Sequence, residues 1–591
     1  MKLLVRQHLQ GMKERGGLDA LLPQMLCELG YEVIHHPRVG GRQAGVDVAA
    51  VGPDPDAGGM ESLLLFVIKA GDIGREDWNG SLQAVLPSLD EVVYDYIPNR
   101  VSQQHRDLPV AVCVCMGGEI QEGIRSAWRG FQETRATDTL HFREWNGDRL
   151  ANLILSGILK QELLDPDHRA HFQKAIALVA EPDEAYLNFR ALLDALTHEL
   201  DPDKAGTTRL RQMLICLWIL VGNGMDAQNL DAPYRACELA LLHAWDAYQR
   251  CPETKKARRR ERGDILDQIL SLFLDISHKL LMEKIGPYAS GLHALSLSVR
   301  SQSALDINLA LFETLGRLVL LGHWHHSIAL LFEGEEQAAH LAKRDEALDL
   351  AIVMINNNPS LLAPIRDDHQ IEIGMLMLLA QASGRTDNVA GYLREVATRM
   401  VYRYVRRSHW VTCHQDYRRL AKHPPNQSDE YFESSTVGSI LVPFVLVGLE
   451  RLGAEENLAE LKRVVDEELS HMTQQVWVPH EGTDDAIWRS GQSIGTAVPV
   501  PALSMEDESV SLSVEVQEIA AEHEALLKSD VMQRGMLPLF LTACRHHRLP
   551  LPPHLWFGSE GKELNAGDQA RDEPSKANDS DTADGKSVGL D

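Results

Sequence analysis

The chain has 591 residues, too many for one hydrophobic core, so roughly two to four domains are expected. Apolar residues make up 44% and charged residues 24%, the balance of an ordinary soluble globular protein. The formal net charge of −27 argues against a protein that coats DNA by electrostatics alone, because that affinity comes from Lys and Arg neutralising phosphates. Any nucleic-acid contact then needs a local basic patch or a basic partner.

The opening MKLLVRQHLQGMKERGG carries only a brief apolar patch before charge returns, so no targeting signal is expected. The longest apolar runs, near Leu214–Val221 and Ile440–Leu449, fall short of the ~18 residues of a membrane span, and no membrane association is expected. Leu18, Leu21, Leu22, Met25, Leu26 and Leu29 recur at helical spacing, predicting a helix over 17–29 that Gly30 ends as a C-cap. Short strands follow at Glu32–Ile34, Val46–Val51 and Leu63–Ile68, the last two joined by the turn-rich VGPDPDAGG. A helix over Ser81–Tyr94 leads to Val110–Met116, a continuous apolar run that reads as a buried central strand. Helices over Glu119–Thr134 and Asp148–Leu164 flank a short strand at Leu140–Arg143. The order α-β-β-β-α-β-α-β-α predicts a mixed sheet flanked by helices over residues 1–165.

Residues 166–557 read as helix after helix, among them Arg209–Val221, Ala232–Gln249, Asp264–Glu283, Ala304–Leu321 and Glu455–Met472. This pattern predicts an all-α, irregular helical-repeat region acting as scaffold or sensor. Thr473–Glu506, rich in Gly, Pro and Ser, interrupts it and marks a possible sub-domain break, as does the proline-rich Arg548–Trp556. The tail 558–591 is Gly/Ser/Asp/Lys-rich and is expected to be disordered.

The eight cysteines are scattered and form no CxxC pair, so neither a zinc knuckle nor a disulfide framework is expected, and a reducing, cytoplasmic compartment follows. The basic run Lys255, Lys256, Arg258, Arg259, Arg260 reads first as a solvated loop or helix start and second as a weak nucleic-acid contact. RYVRRSHW (Arg403–Trp410) reads first as a helix face packed on a neighbour. His323, His325 and His326 in GHWHH read as a surface cluster, since they lack the spacing and acid of a zincin site. No GxxxxGK[ST] occurs, so any nucleotide-driven engine is a separate NTPase.

Two charges stand inside apolar strands: Asp47 near the start of the second and Lys69 at the end of the third. Charged side chains in such runs are paired or hold a metal. A hairpin between them brings the two together, and a carboxylate that holds Mg²⁺ beside a lysine that positions water suits phosphodiester hydrolysis.

The segments LDALLPQMLCELGYEV, GVDVAAV and LLLFVIKAGDI together resemble the Mrr-like branch of the PD-(D/E)xK restriction-endonuclease superfamily. That family opens with an acid-bearing helix and a Gly-Tyr, followed by Gly-x-Asp and (Glu/Gln)-x-Lys on successive strands. The resemblance covers about the first quarter of the chain. It implies a restriction-endonuclease-like sheet and a site of Asp19, Asp47 and Lys69, with Asp47 and Asp19 holding Mg²⁺ or Mn²⁺. Val67 departs from the pattern, standing where the family carries Glu or Gln. Either a replacement ligand comes from Asp72, Asp77, Gln83 or Glu91, or the domain has lost catalysis and only binds. The first reading is a metal-dependent DNA endonuclease subunit of a bacterial anti-phage defence or restriction system, with DNA and other defence proteins as partners. The second is a degenerate nuclease-like adaptor in a multi-protein complex; an RNA-directed nuclease is a third.

Overall fold

A computed structural model describes residues 2–35, 44–154, 166–198, 204–301, 303–423, 428–489, 495–500 and 511–557. The expected disordered tail 558–591 and the end of the helix expected over Asp148–Leu164 lie outside the described residues. The chain divides into two compact units, one of Met1–Ala240 with Arg250–Leu272 and one of Leu241–Gln249 with Phe273–Asp591.

In the first unit, α1 (Lys2–Gly11) and a π-turn (Glu14–Leu18) precede α2 (Asp19–Glu28). Strands β1 (Glu32–His35), β2 (Val48–Asp54) and β3 (Met60–Lys69) follow, then the short helices α3 (Arg75–Asn79), α4 (Val85–Glu91) and α5 (Ile97–Arg100). β4 (Val110–Met116), α6 (Glu122–Arg135), β5 (Leu140–Trp145) and α7 (Gly147–Leu153) complete the sheet region. The helices α8 (Pro166–Ala177), α9 (Pro182–Thr197), α10 (Lys204–Asp226), α11 (Asp231–Gln249) and α12 (Lys256–Ser277) come next, and the last nine residues of α11 and Phe273–Ser277 of α12 are counted with the second unit. The expected mixed sheet with flanking helices is present. Its order is β1-β2-β3-β4-β5, antiparallel across the first three strands and parallel from β3 to β5.

The alternation of β3 explains how it is held. Leu63, Leu65 and Val67 share one face with Ala49, Val51, Val112, Val114 and Met116, in a core with Trp78, Val85, Leu89, Val92, Ile124 and Trp128. Phe66 belongs to the other face, where its ring meets Trp145 edge-on at 4.9 Å. The β2–β3 turn is a 3₁₀ turn at Pro55–Ala57 followed by Gly58 and Gly59, and the Asp54 carboxylate accepts from the Asp56 N–H at 2.9 Å. Asp54 is buried and paired to Arg143 of β5 at 3.1 Å, so a charge the sequence left unexplained has its partner two strands beyond β3.

The C-terminal ends of β3 and β4 carry Lys69 and Met116. A Cβ on Gly117 would strike the Leu9 carbonyl, so only glycine lets the α1 backbone lie this close to the end of β4. Arg6 of α1 pairs with Glu119, and Gln10 donates to Asp72 at 3.3 Å.

The second unit is dominated by helices, as expected, including Ala304–Ala329, Gly334–Asn357, Gln370–Ala382, Thr386–Val405, Leu441–Arg451 and Leu537–His547. The interruption at Thr473–Glu506 proves partly structured: strand Thr473–Pro479 pairs with Gly438–Ser439 and with Gly495–Pro499 in a three-stranded sheet. GHWHH is no surface cluster. His323 and His325 lie within helix Ala304–Ala329 and are 3% and 5% exposed. His323 Nε2 meets the Met375 carbonyl at 2.9 Å and His325 Nδ1 meets His340 Nδ1 at 3.1 Å, and burial pushes the two imidazoles down to about 4 and about 3. The helix runs on past the point where its polar residues suggested an end, so its last turns are buried with histidines on board. RYVRRSHW fits its packing reading: Arg403 donates to the Ala363 and His409 carbonyls, Arg407 pairs with Glu468 at 2.9 Å, and Trp410 is fully buried.

Candidate active site

Asp47 lies one residue before β2 begins, and the register of β2 on β3 (Val48 opposite Phe66) extends to put Asp47 opposite Val67. Opposed residues share a face, and so do residues two apart on a strand, so Asp47, Val67 and Lys69 belong to one face. The Asp47 N–H donates to the Phe66 carbonyl at 2.9 Å, and Asp47 Oδ2 accepts from the Ile68 N–H at 2.7 Å. The carboxylate thus takes over where the ladder stops, and Oδ1 has no partner among the described residues. Gly45 makes this turn possible: its φ is 78°, and a Cβ there would strike the Ser88 carbonyl of α4. That is the physical content of the Gly-x-Asp spacing.

Lys69, at the end of β3 with its side chain 15% exposed, pairs with Glu14 Oε2 at 3.5 Å. Asp19 opens α2 and accepts from the Gly17 N–H at 3.1 Å, closing the π-turn that carries Glu14. Burial raises the Asp47 carboxyl to about 6. The Ile68 N–H and Lys69 pull it down, and the charges of Glu14 and Asp19 push it up. Asp19, Glu14 and Lys69 therefore stand within electrostatic reach of Asp47, three carboxylates in all against one lysine. Glu14 was not foreseen. In the sequence it sits in the polar stretch MKERGG, and only the π-turn before α2 folds it back toward β3.

The replacement ligands proposed for Val67 are engaged elsewhere or exposed. Asp72 Oδ1 accepts from the Glu119 N–H at 2.9 Å and its Oδ2 from Gln10, while Asp77 accepts from the Gly74 N–H at 3.0 Å and caps α3. Gln83 is exposed, before α4, and Glu91 is half-buried at the end of α4. The charges that act most on Asp47 are those of Lys69, Glu14 and Asp19, and none of these four is among them. Val67 is fully buried in the apolar core described above.

Among the described residues, no group of three or more His, Cys, Asp or Glu side chains is arranged to hold a metal ion. The chemistry of the donors still suits a hard divalent cation: all are carboxylate oxygens, and their charge exceeds what Lys69 offsets. The basic run Lys255–Arg260 falls in the loop before α12 and in its first turns. No known protein family, characterised protein or solved structure matches the chain.

Proposed function

We propose that the sheet region of the first unit, within residues 1–165, is a restriction-endonuclease-like domain and that the chain is a metal-dependent DNA endonuclease subunit. The observation that carries this reading is the corner itself: a desolvated Asp47 raised to about 6, with Lys69, Glu14 and Asp19 in electrostatic reach. Asp47 and Asp19 would hold the cation, and Glu14 is the side chain available for the part Val67 cannot play. A Mg²⁺ or Mn²⁺ bound there polarises the phosphodiester and lowers the pKa of a water. Lys69 holds its proton at Nζ, exchanges Glu14 for a phosphate oxygen, and orients the attack. The helical unit is read as binding a partner or trigger in an anti-phage defence or restriction system, a role that rests on analogy with domain pairings in the superfamily.

The second reading, a nuclease-like adaptor without catalysis, is favoured by two observations. Val67 is built into the apolar core, and Lys69 is already paired to Glu14. The two readings separate by experiment. The purified protein and its Asp47→Ala, Lys69→Ala and Glu14→Ala variants are incubated with plasmid in Mg²⁺ or Mn²⁺, alone and with the products of neighbouring genes. The nuclease reading expects cleavage by the wild type that EDTA abolishes and all three substitutions cripple. Biological activity that survives all three, with no cleavage in any combination, supports the adaptor.

A further inference from the structure

A cavity of about 270 Å³ opens in the first unit beside the start of β3. Leu63 of β3 lines it, six residues before Lys69 on the same strand. At ~3.3 Å per residue those two positions are about 20 Å apart, so the cavity is separate from the Asp47–Lys69 corner. His35 at the end of β1 and Tyr96, which closes the π-turn Val92–Tyr96, line it from either side in the sequence of the sheet. The end of α5 and the loop before β4 complete it with Arg100, Ser102, Gln104 and His105.

The polar groups here are donors that the fold has not spent. Tyr96 is 8% exposed, yet its hydroxyl makes no hydrogen bond among the described residues. Buried phenol hydroxyls ordinarily have a partner. Burial raises this phenol above its ordinary value and the charge of Arg100 draws it back, so it keeps its proton and stands within electrostatic reach of that guanidinium. Ser102 supplies a second donor. The Gln104 amide nitrogen, which only donates, meets His105 Nε2 at 3.2 Å. His105 Nε2 therefore accepts, Nδ1 carries the ring proton, and Ser102 Oγ accepts that proton at 3.0 Å. The hydroxyl hydrogen of Ser102 is left over. Arg100 pairs with Asp95 at 3.2 Å through one of its nitrogens and lines the cavity as well. Among the described residues that line the cavity, none is a carboxylate.

Two hydroxyls and a guanidinium with no acid among them suit an oxyanion. Three donor groups match the three terminal oxygens of a phosphomonoester better than the two of a carboxylate or a phosphodiester. The remaining lining is apolar, from Ile34, Leu63 and Val101, and the His35 ring stands edge-on to Tyr96 at 6.3 Å. A volume of about 270 Å³ is the liquid share of about nine waters and lies just below the range of drug-sized sites. It admits a single ring with its phosphate and excludes a nucleic-acid duplex.

We propose that this cavity binds a small phosphomonoester with an apolar or aromatic body. Arg100 and the hydroxyls of Tyr96 and Ser102 hold the phosphate oxygens, and the body lies against Ile34, Leu63 and Val101. None of these residues belongs to the corner of Asp47, Asp19, Glu14 and Lys69, so the site stands whether or not the chain cleaves DNA.

The test is isothermal titration calorimetry of the full chain with phenyl phosphate, in EDTA so that no divalent ion holds the probe. Saturable binding is expected, at least about tenfold tighter than that of benzoate or dimethyl phosphate, which each offer one oxygen fewer. Tyr96→Phe removes only a hydroxyl that bonds nothing else in the fold, and should weaken phenyl phosphate about tenfold or more. Arg100→Gln should weaken it at least as much, and Arg100→Lys should recover part of the loss by restoring the charge. Tyr288→Phe, at an exposed tyrosine of the second unit, should change nothing. The proposal is overturned by the absence of saturable binding at millimolar phenyl phosphate, or by unchanged affinity in either Tyr96→Phe or Arg100→Gln. Benzoate or dimethyl phosphate binding as tightly as phenyl phosphate overturns it, and so does an equal loss in Tyr288→Phe. A loss in Lys69→Gln as large as that in Arg100→Gln overturns it too, since the probe would then sit in the corner.

Discussion

At the scale of single residues, Asp47 and Val67 make opposite demands on the same sheet face. Asp47 keeps a carboxyl raised to about 6 against about 3.8 in the unfolded chain, so between those values the folded protein binds the extra proton. Stability associated with this group is therefore fully present at acid pH and is lost as pH rises through about 6. Asp47→Asn, which keeps an oxygen for the Ile68 N–H, is expected to stabilise the protein at pH 7.5 by ~1–3 kcal/mol and to do little at pH 4. Thermal unfolding at both pH values checks this. Mg²⁺ should raise the wild-type midpoint and not that of the variant. Val67 makes the opposite case. Val67→Glu would put there the residue that the proposed nuclease family carries, but the side chain sits at 0% exposure among Leu65, Val114 and Met116. We expect a loss of ~3 kcal/mol or more in denaturant unfolding and no gain in metal affinity. A variant as stable as the wild type that binds Mg²⁺ more tightly would show that the corner reaches Val67 after all.

At the scale of elements, what was legible in the sequence was whatever depends on near neighbours. β4 was readable to the residue because seven apolar positions lie between Pro109 and Gly117, and a strand buried on both faces leaves that run. The hairpin of β2 and β3 was readable from its turn, though both strands extend further, since Gly52, Pro53 and Asp54 still find partners in Ser62, Glu61 and Met60. Asp47 and Lys69 were legible as a pair from their places in apolar strands joined by a turn, whereas Asp19 entered only through the resemblance; the charges of Lys69 and Asp19 both act on Asp47. Glu14 was not, because its place beside Lys69 depends on a π-turn and on α1, which the sequence did not announce. The small sheet around Thr473–Pro479 was also hidden, since its Gly- and Pro-rich surroundings read as an interruption. So was the ionic cluster of the second unit. Arg548, held in the left-handed region just past helix Leu537–His547, pairs with Asp368 at 3.0 Å and with Glu372, while Arg545 pairs with Glu313 at 2.7 Å. Burial works against the charges of Glu313, Asp368, Glu372 and Arg548, and the arginines hold Asp368 down to about 2. Arg548→Met leaves Glu372 buried without its guanidinium and Asp368 with Arg366 alone, and should cost ~3–5 kcal/mol. Glu372 above all then takes up a proton more readily, so the loss should be larger at pH 8 than at pH 5, measured by urea unfolding. A loss that does not vary with pH would mean the cluster carries little charge in the folded state.

At the scale of the whole molecule, the charge of −27 and the two units frame the function. In the proposed nuclease reading, a chain whose net charge repels DNA would depend on a divalent ion and on what the helical unit recruits. The central claim is narrower: Asp47 is the carboxylate around which hydrolysis is built. The most direct measurement is the initial rate of nicking and linearisation of supercoiled plasmid in Mg²⁺ from pH 5 to pH 8, for wild type and Asp47→Asn, in the presence of any partner that activates the wild type. The account predicts a wild-type rate that rises to a plateau with a midpoint at or below about 6, since a bound cation favours the ionised carboxylate. It also predicts a loss of at least about a hundredfold in the variant at every pH. A rate in Asp47→Asn equal to that of the wild type, with the same pH profile, would contradict it.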